Sequence, residues 1–306
     1  MDADRSPLIS VERLAGWLDD PLPPVVVDLR WYLGRAGDGE KAYREGHLPG
    51  AIFLDLDDDL ANMNGYGAPG RHPLPDPDSF RARMAAAGIG DGTRVVSYDD
   101  VGGWVAARLW WMLDDLGFGR RGITGEWVGV LDGGITAWVD SGRPLSTDVP
   151  VAPAAPARLT LEGPWHGVIE REELKRRLGS VTLLDARAPE RYRGEVEPID
   201  PVAGHIPTAV SAPFGANLDT DGRFKDPAAL RARFLELDIT PAQAGDVVVS
   251  CGSGTSAAHH SLAMRVAGLP DPILYVGSYS DWSRSGEPVA TGPEPGQPPS
   301  GAEADR

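Results

Sequence analysis

The chain has one cysteine, Cys251, in 306 residues. No internal disulfide can form, so whatever cysteine does here it does as a single thiol. Basic charge is also scarce. There are 29 Lys and Arg against 45 Asp and Glu, a formal net charge of -16, with no basic cluster interleaved with aromatics, and this excludes a nucleic-acid surface. No apolar run reaches the length of a membrane span, and the first residues lack the apolar core of a signal peptide, so the expectation is a cytoplasmic protein with no membrane contact. What is present is a globular composition, 42% apolar and 24% charged, long enough for two domains with separate cores.

The chain repeats itself. Val25-Val26-Val27-Asp28-Leu29-Arg30 followed by Gly46-His47-Leu48-Pro49-Gly50-Ala51 matches Leu183-Leu184-Asp185-Ala186-Arg187 followed by Gly204-His205-Ile206-Pro207-Thr208-Ala209. Asp28 and Asp185 are 157 positions apart, and His47 and His205 are 158 apart. Val96-Ser97-Tyr98 aligns with Val249-Ser250-Cys251, and Gly133 to Trp138 with Gly277 to Trp282. So long a period means duplicated domains, not a solenoid. The proline-rich stretch within 146–160 reads as a linker between a first domain over 1–145 and a second over 161–291. Residues 292–306 have too little apolar content to pack and are expected to be a disordered tail.

Within each half, short β-branched runs alternate with helical patterns. Strands are expected at 25–29, 51–54, 94–98 and 128–131, with helices at 10–19, 78–87 and 103–116. The second half repeats the scheme with strands at 181–185, 209–211, 246–250 and 273–276 and helices at 170–178, 227–236 and 255–267. This predicts α/β architecture, each domain a mainly parallel sheet covered by helices on both faces, with ligands at the carboxyl ends of the strands.

Cys251 falls at such an end. The run Val247-Val248-Val249-Ser250 leads through Cys251-Gly252-Ser253-Gly254-Thr255-Ser256 into a helical pattern, so the thiol sits where unpaired N-H groups and the helix dipole favour an anion. Without that context a lone cysteine would read as a small buried hydrophobe. A cysteine phosphatase would need an arginine six residues on, and Ala257 stands there. A Cys-His hydrolase fits the composition but not the glycine-rich loop or the duplication.

Two copies of an Asp-x-Arg strand end, a Gly-His-[Ile/Leu]-Pro-x-Ala turn and a late Gly-x-x-x-Trp element, with cysteine only in the second copy, resemble the tandem rhodanese-domain sulfurtransferases over roughly residues 8–290. The resemblance implies two rhodanese-like domains, the first catalytically inactive, and a sulfur relay through a Cys251 persulfide to cyanide, a thiol or thioredoxin. It implies no cofactor and no metal. The loop Cys251-Gly252-Ser253-Gly254-Thr255-Ser256 resembles that of 3-mercaptopyruvate sulfurtransferases, and the lack of basic loop residues weighs against thiosulfate, which stays as the alternative donor; a non-enzymatic persulfide carrier is the other alternative. By the same resemblance Ser253, His72 and Asp57 form a proton relay, with Asp55 and Asp58 as neighbours able to replace Asp57. Gly252, Gly254, Thr255 and Ser256 shape the substrate pocket. Arg191 binds the donor carboxylate, as a planar guanidinium suits. Arg187 is counted with the substrate-binding residues, with a structural pairing to Asp185 or a loop carbonyl as its other expected role. A second arginine usual in that subgroup is replaced here by Ile199. Tyr279 and Trp282 are expected to wall the pocket. His47 and His205 recur in both halves, which assigns them to structure; His259 and His260, adjacent on a helix, are expected to face different ways.

Overall fold

The computed structural model describes residues 6–62, 70–120, 122–243 and 245–299. These form two compact units. Residues 6–62, 75–166 and 220–224 make the first; residues 70–74, 167–219 and those from 225 onward make the second.

In the first unit the strands are β1 (Leu8–Ile9), β2 (Val25–Asp28), β3 (Ile52–Phe53), β4 (Arg94–Tyr98) and β5 (Trp127–Leu131). They form one parallel sheet in the order β1-β5-β4-β2-β3. The helices are α1 (Val11–Leu18), α2 (Asp38–Glu45), α3 (Leu56–Asp59), α4 (Pro77–Ala86), α5 (Ala106–Asp115) and α6 (Gly134–Asp140). Strand alternation splits the valines between two faces. Val26 and Val96 pack with Val11 and Leu14 of α1 and Ile135 and Trp138 of α6. Val27 and Val95 point the other way and are equally buried, on the side that α5 covers by packing against β4 and β5. Side-chain caps set the helix starts: Ser10 accepts from Arg13 N, and Asp76 accepts from Ser79 N with Pro77 in the first turn.

The second unit repeats this plan with α7 (Arg171–Arg177), β6 (Thr182–Asp185), α8 (Pro189–Tyr192), β7 (Val210–Ser211), α9 (Pro227–Glu236), β8 (Val247–Ser250), α10 (Ala257–Val266), β9 (Ile273–Leu274) and α11 (Ser278–Trp282). Its sheet is parallel in the order β7-β6-β8-β9. Leu183, Val248, Ile169, Leu174 and Trp282 share one core cluster, while α10 packs against β8, β9 and α9. The α/β fold with two parallel sheets is therefore as the sequence indicates.

Three boundaries differ. The helix expected over 103–116 starts only at Ala106, because the preceding residues curl around Asp99. The stretch 146–160 packs on the first unit at both ends: Ser146 pairs with His47, Ala157 N donates to Ala85 O, and Thr160 bonds the Asp91 carboxylate. The tail from 292 is ordered in part, since Pro295 O accepts from Thr208 N and Glu294 O faces His205 Nε2 at 3.1 Å. Proline-rich backbone can dock through its carbonyls alone, without apolar side chains. Residues 300–306 lie outside the described residues. Among the described residues no helix is long and apolar enough to cross a membrane, and no cluster of three His, Cys, Asp or Glu could hold a metal.

Candidate active site

The four residues of β8 are buried, and the strand delivers Cys251, only 2% exposed, to the start of the loop. The loop turns back so that Ser253 N and Gly254 N point at Cys251 Sγ, at 3.4 and 3.1 Å. Gly254 makes the turn with φ +81°, and a Cβ there would lie 2.4 Å from Val276 O, so only glycine fits. Thr255 is fully buried, and Ser256 takes the N-cap position of α10 without a side-chain capping bond. Residues before and within α11 brace the loop. Cys251 N donates to Ser278 Oγ at 3.0 Å, Tyr279 N to Cys251 O at 3.0 Å, and Ser280 N to Gly252 O at 2.9 Å. Ser278 holds φ 52°, a conformation a non-glycine residue adopts at a cost of about 1 kcal/mol, with its hydroxyl donating to Tyr275 O.

Residues 70–74, far away in sequence, belong to this unit and supply His72. Its Nδ1 lies 2.7 Å from Ser253 Oγ and 3.4 Å from Thr255 Oγ1, all three side chains being buried. With Nδ1 unprotonated the Ser253 hydroxyl donates to it, which is the arrangement a proton relay requires. Asp57 lies in the first unit, on α3, and its Oδ2 accepts from Trp31 Nε1 at 2.9 Å. Of its neighbours, Asp55 is occupied as the N-cap of α3, accepting from Asp57 N and Asp58 N, and Asp59 is paired with Arg83.

The arginines separate into roles. Arg187 forks onto Asp185, donates to Gly204 O at 2.7 Å, reaches Glu197 and stacks 3.9 Å above Tyr279. In the first unit Arg30 makes the matching contacts to Asp28 and Gly46 O. The motif therefore pins the Gly-His turn in both units, and the substrate-binding role first given to Arg187 is corrected to a structural one. Arg191 is different. It donates through Nη2 to Glu197 at 2.8 Å and Asp200 at 3.3 Å, while a Cβ on Gly252 would stand 3.4 Å from its Nη1. The sequence reading missed Arg71, which bonds Asp200 through Nη1 and places Nη2 2.8 Å from that same Cβ position. Its signal in the sequence is its place beside His72 in Arg71-His72-Pro73, outside the second repeat. Asp200, also bonded by Arg284, was missed with it. The Glu197 carboxyl lies below the usual range: burial raises it, but the combined hydrogen bonds from Arg191 and two backbone N-H groups, with the Arg191 charge, prevail.

The first unit has an equivalent loop, and the register corrects the repeat alignment. Asp28 pairs with Tyr98, and Asp185 with Ser250. Tyr98 thus matches Ser250, and Asp99 occupies the position of Cys251. Ile135 N donates to Asp99 O as Tyr279 N does to Cys251 O. Matching Ser97 with Ser250 by identity had shifted the alignment by one. Asp99 is fully buried, and its carboxylate accepts from the N-H groups of Val101, Gly103, Val105 and Ala106 at 2.8 to 3.0 Å. Tyr98 serves the core, donating to Asp28 Oδ2 at 2.6 Å.

The remaining residues fall into structural roles. His47 and His205 stack on Tyr43 and Tyr192 and each bridges two backbone carbonyls. His259 and His260, expected to diverge, both bring Nδ1 to 3.2 Å from Asn217 Nδ2, whose two hydrogens serve both rings. His260 Nε2 then donates to Ala212 O, and burial holds this histidine down at about 3. Trp282 is in the core with Nε1 donating to Pro288 O, not on a pocket wall, because α11 turns it into the sheet face. Tyr279 is likewise buried, beneath Arg187.

Comparison with known proteins agrees with this architecture. The rhodanese-like domain model matches twice, over residues 10–141 and 170–285. A Pseudomonas aeruginosa protein named as a 3-mercaptopyruvate sulfurtransferase is 42% identical, covering 93% of this chain and 98% of its own. A Mycobacterium tuberculosis protein named as a thiosulfate sulfurtransferase is 40% identical, covering 92% and 96%; both names are provisional. The solved 3-mercaptopyruvate sulfurtransferase of Leishmania major superposes with a TM-score of 0.77 at 27% identity, covering 92% of this chain and 75% of that one. With the domain present twice and relatives matched over nearly their whole length, the chain belongs to the rhodanese-like family.

Proposed function

We propose that the protein is a sulfurtransferase that moves sulfane sulfur from 3-mercaptopyruvate to a thiophilic acceptor through Cys251. The observation that carries this is the 2.7 Å contact of Ser253 Oγ with His72 Nδ1 beside Cys251, a proton-handling pair that thiosulfate, with no proton to move, would not need. The thiolate of Cys251 attacks the thiol sulfur of the donor. The new S-S bond forms as the C-S bond breaks, and its electron pair passes to the departing enolate. Ser253 and His72 carry the thiol proton to that enolate, so the products are pyruvate and a Cys251 persulfide anion. The enzyme then discharges the outer sulfur to cyanide, giving thiocyanate and the free thiolate, or to a thiol; thioredoxin is a candidate acceptor.

The amides of Ser253 and Gly254 suit a sulfur anion because their dipoles are fixed in place before it forms. Asp57 stays the acid of the relay on the family resemblance alone: its Oδ2 accepts from Trp31 Nε1, and its neighbour Asp55 is engaged as the N-cap of α3. The first domain is assigned no chemistry of its own, as Asp99 stands where the thiol would be. A cytoplasmic location fits an unpaired reactive thiol. The name of the Mycobacterium tuberculosis relative supports a second reading, thiosulfate as donor.

Steady-state kinetics with each donor, cyanide as acceptor and Cys251→Ser as blank, test the choice. A kcat/KM at least about tenfold higher for 3-mercaptopyruvate is expected. The reverse preference would establish thiosulfate, and no Cys251-dependent turnover of either donor would leave a persulfide carrier.

A further inference from the structure

Four guanidiniums, Arg71, Arg187, Arg191 and Arg284, meet three carboxylates, Asp185, Glu197 and Asp200, around the loop that carries Cys251. The excess is positive, and its distribution is uneven. Arg187 is 2% exposed and committed to Asp185, Gly204 O and Glu197. Arg284 is half-exposed and returns to Ser280 O. Of the four, Arg71 and Arg191 alone combine partial burial, 19% and 18% exposed, with a nitrogen each beside the position a Cβ on Gly252 would take, the residue next to the cysteine. Glycine there leaves the space that a methyl group would take from both guanidiniums.

Arg71 also has donor capacity in hand. Its Nε is buried without a hydrogen-bond partner, while Nη1 is held by Asp200. Asp200 in turn touches Arg191, so one fully buried carboxylate sets the spacing of the two cations. Ile199, where the family resemblance leads one to expect a second arginine, donates its N-H to Glu197 and brings no charge.

We propose that Arg71 is the second carboxylate-binding cation of this site, gripping the donor carboxylate together with Arg191 in place of the arginine that Ile199 replaces. This rests on the reading of the site as one for a carboxylate-bearing sulfur donor. Two guanidiniums set by one aspartate add a second set of charge-assisted hydrogen bonds, and so hold the carboxylate more firmly than one bidentate arginine does. The grip acts on the end of the donor away from its sulfur, so it sets affinity more than the rate of the chemical step.

The decisive measurement is the rate of Cys251 alkylation by iodoacetate, which carries a carboxylate, against iodoacetamide, which does not, in wild type, Arg71→Met and Arg71→Lys. The iodoacetate to iodoacetamide rate ratio should fall about fivefold or more in Arg71→Met and recover largely in Arg71→Lys. With 3-mercaptopyruvate, Arg71→Met should raise KM about tenfold and leave kcat within about threefold. An unchanged ratio, or equal loss of both alkylation rates, would overturn the assignment, the latter because Arg71 would then act on the thiol and not on the carboxylate. Absence of 3-mercaptopyruvate turnover in wild type would sink the donor reading by itself, while the alkylation ratio still decides the role of Arg71.

Discussion

The loops after β4 and β8 are built alike and hold different acceptors. In the first unit the acceptor is the chain's own Asp99 carboxyl group, bonded by four amides and sealed from solvent. In the second it is the sulfur of Cys251, bonded by two amides and flanked by Ser253, His72, Arg71 and Arg191. A cradle of amides therefore does not by itself make an active site. In one unit a built-in carboxylate saturates it and it becomes a structural knot; in the other it is left under-filled around a nucleophile and can take on a second sulfur.

The comparison is broken most severely by exchanging what each loop holds. Cys251→Ser should lower turnover at least about a thousandfold, yet shift the unfolding free energy by less than about 1 kcal/mol, because only two weak N-H···S contacts are lost. Asp99→Ala should do the reverse in kind: leaving four amides without their acceptor costs about 3 kcal/mol or more, read as a lowered denaturation midpoint. If Asp99→Ala were neutral in stability, the structural-knot account would be wrong.

A smaller change sharpens the catalytic side. Ser253→Ala removes the hydroxyl that contacts His72 and should reduce kcat/KM for 3-mercaptopyruvate about 10- to 100-fold, with a lesser effect on thiosulfate. Equal losses for both donors would remove the case for a proton relay.

The smallest expected effect concerns the helices behind the loops. Buried His260 titrates at about 3 against an ordinary 6.5, with burial as the main cause and the charge of Arg233 second. The unfolded chain therefore binds a proton between those values that the native state does not, so stability is full above about pH 6.5 and falls with falling pH. Between pH 7 and 5.5 the second unit should lose about 1 kcal/mol on this account. On α5 of the first unit the buried Arg108 stands where α10 carries His260. Unit-resolved hydrogen exchange at the two pH values, with His260→Asn as control, would read the difference.

Much of the fold was legible because it is encoded locally. Val25–Asp28 and Val247–Ser250 are β-branched runs bounded by turn residues, and Asp76-Pro77 and Asp226-Pro227 mark helix starts that the caps of α4 and α9 confirm. The helices α3, α8 and α11, of four or five residues, were not legible, being too short to show a period and held by packing, and α2 and α6 went unread with them. In the site, Cys251 and its loop could be read from strand, glycines and helix in succession, and His72 and Arg191 from motifs. The equivalence of Tyr98 with Cys251 failed because identity at Ser97 and Ser250 outweighed the ladder register, which only paired strands reveal.

The sequence alone determined that there are two copies of one α/β domain, that only the second holds a thiol, and that this thiol lies between a strand and a helix. These follow from composition and spacing, which act within a few residues of each position. Tertiary structure alone decided that residues 70–74 join the second unit, that Arg71 and Arg191 flank Gly252 across one buried aspartate, and that Asp99 fills the first cradle. The reason is physical: charge pairing and hydrogen bonding depend on distance in space, and these contacts join residues up to 209 positions apart.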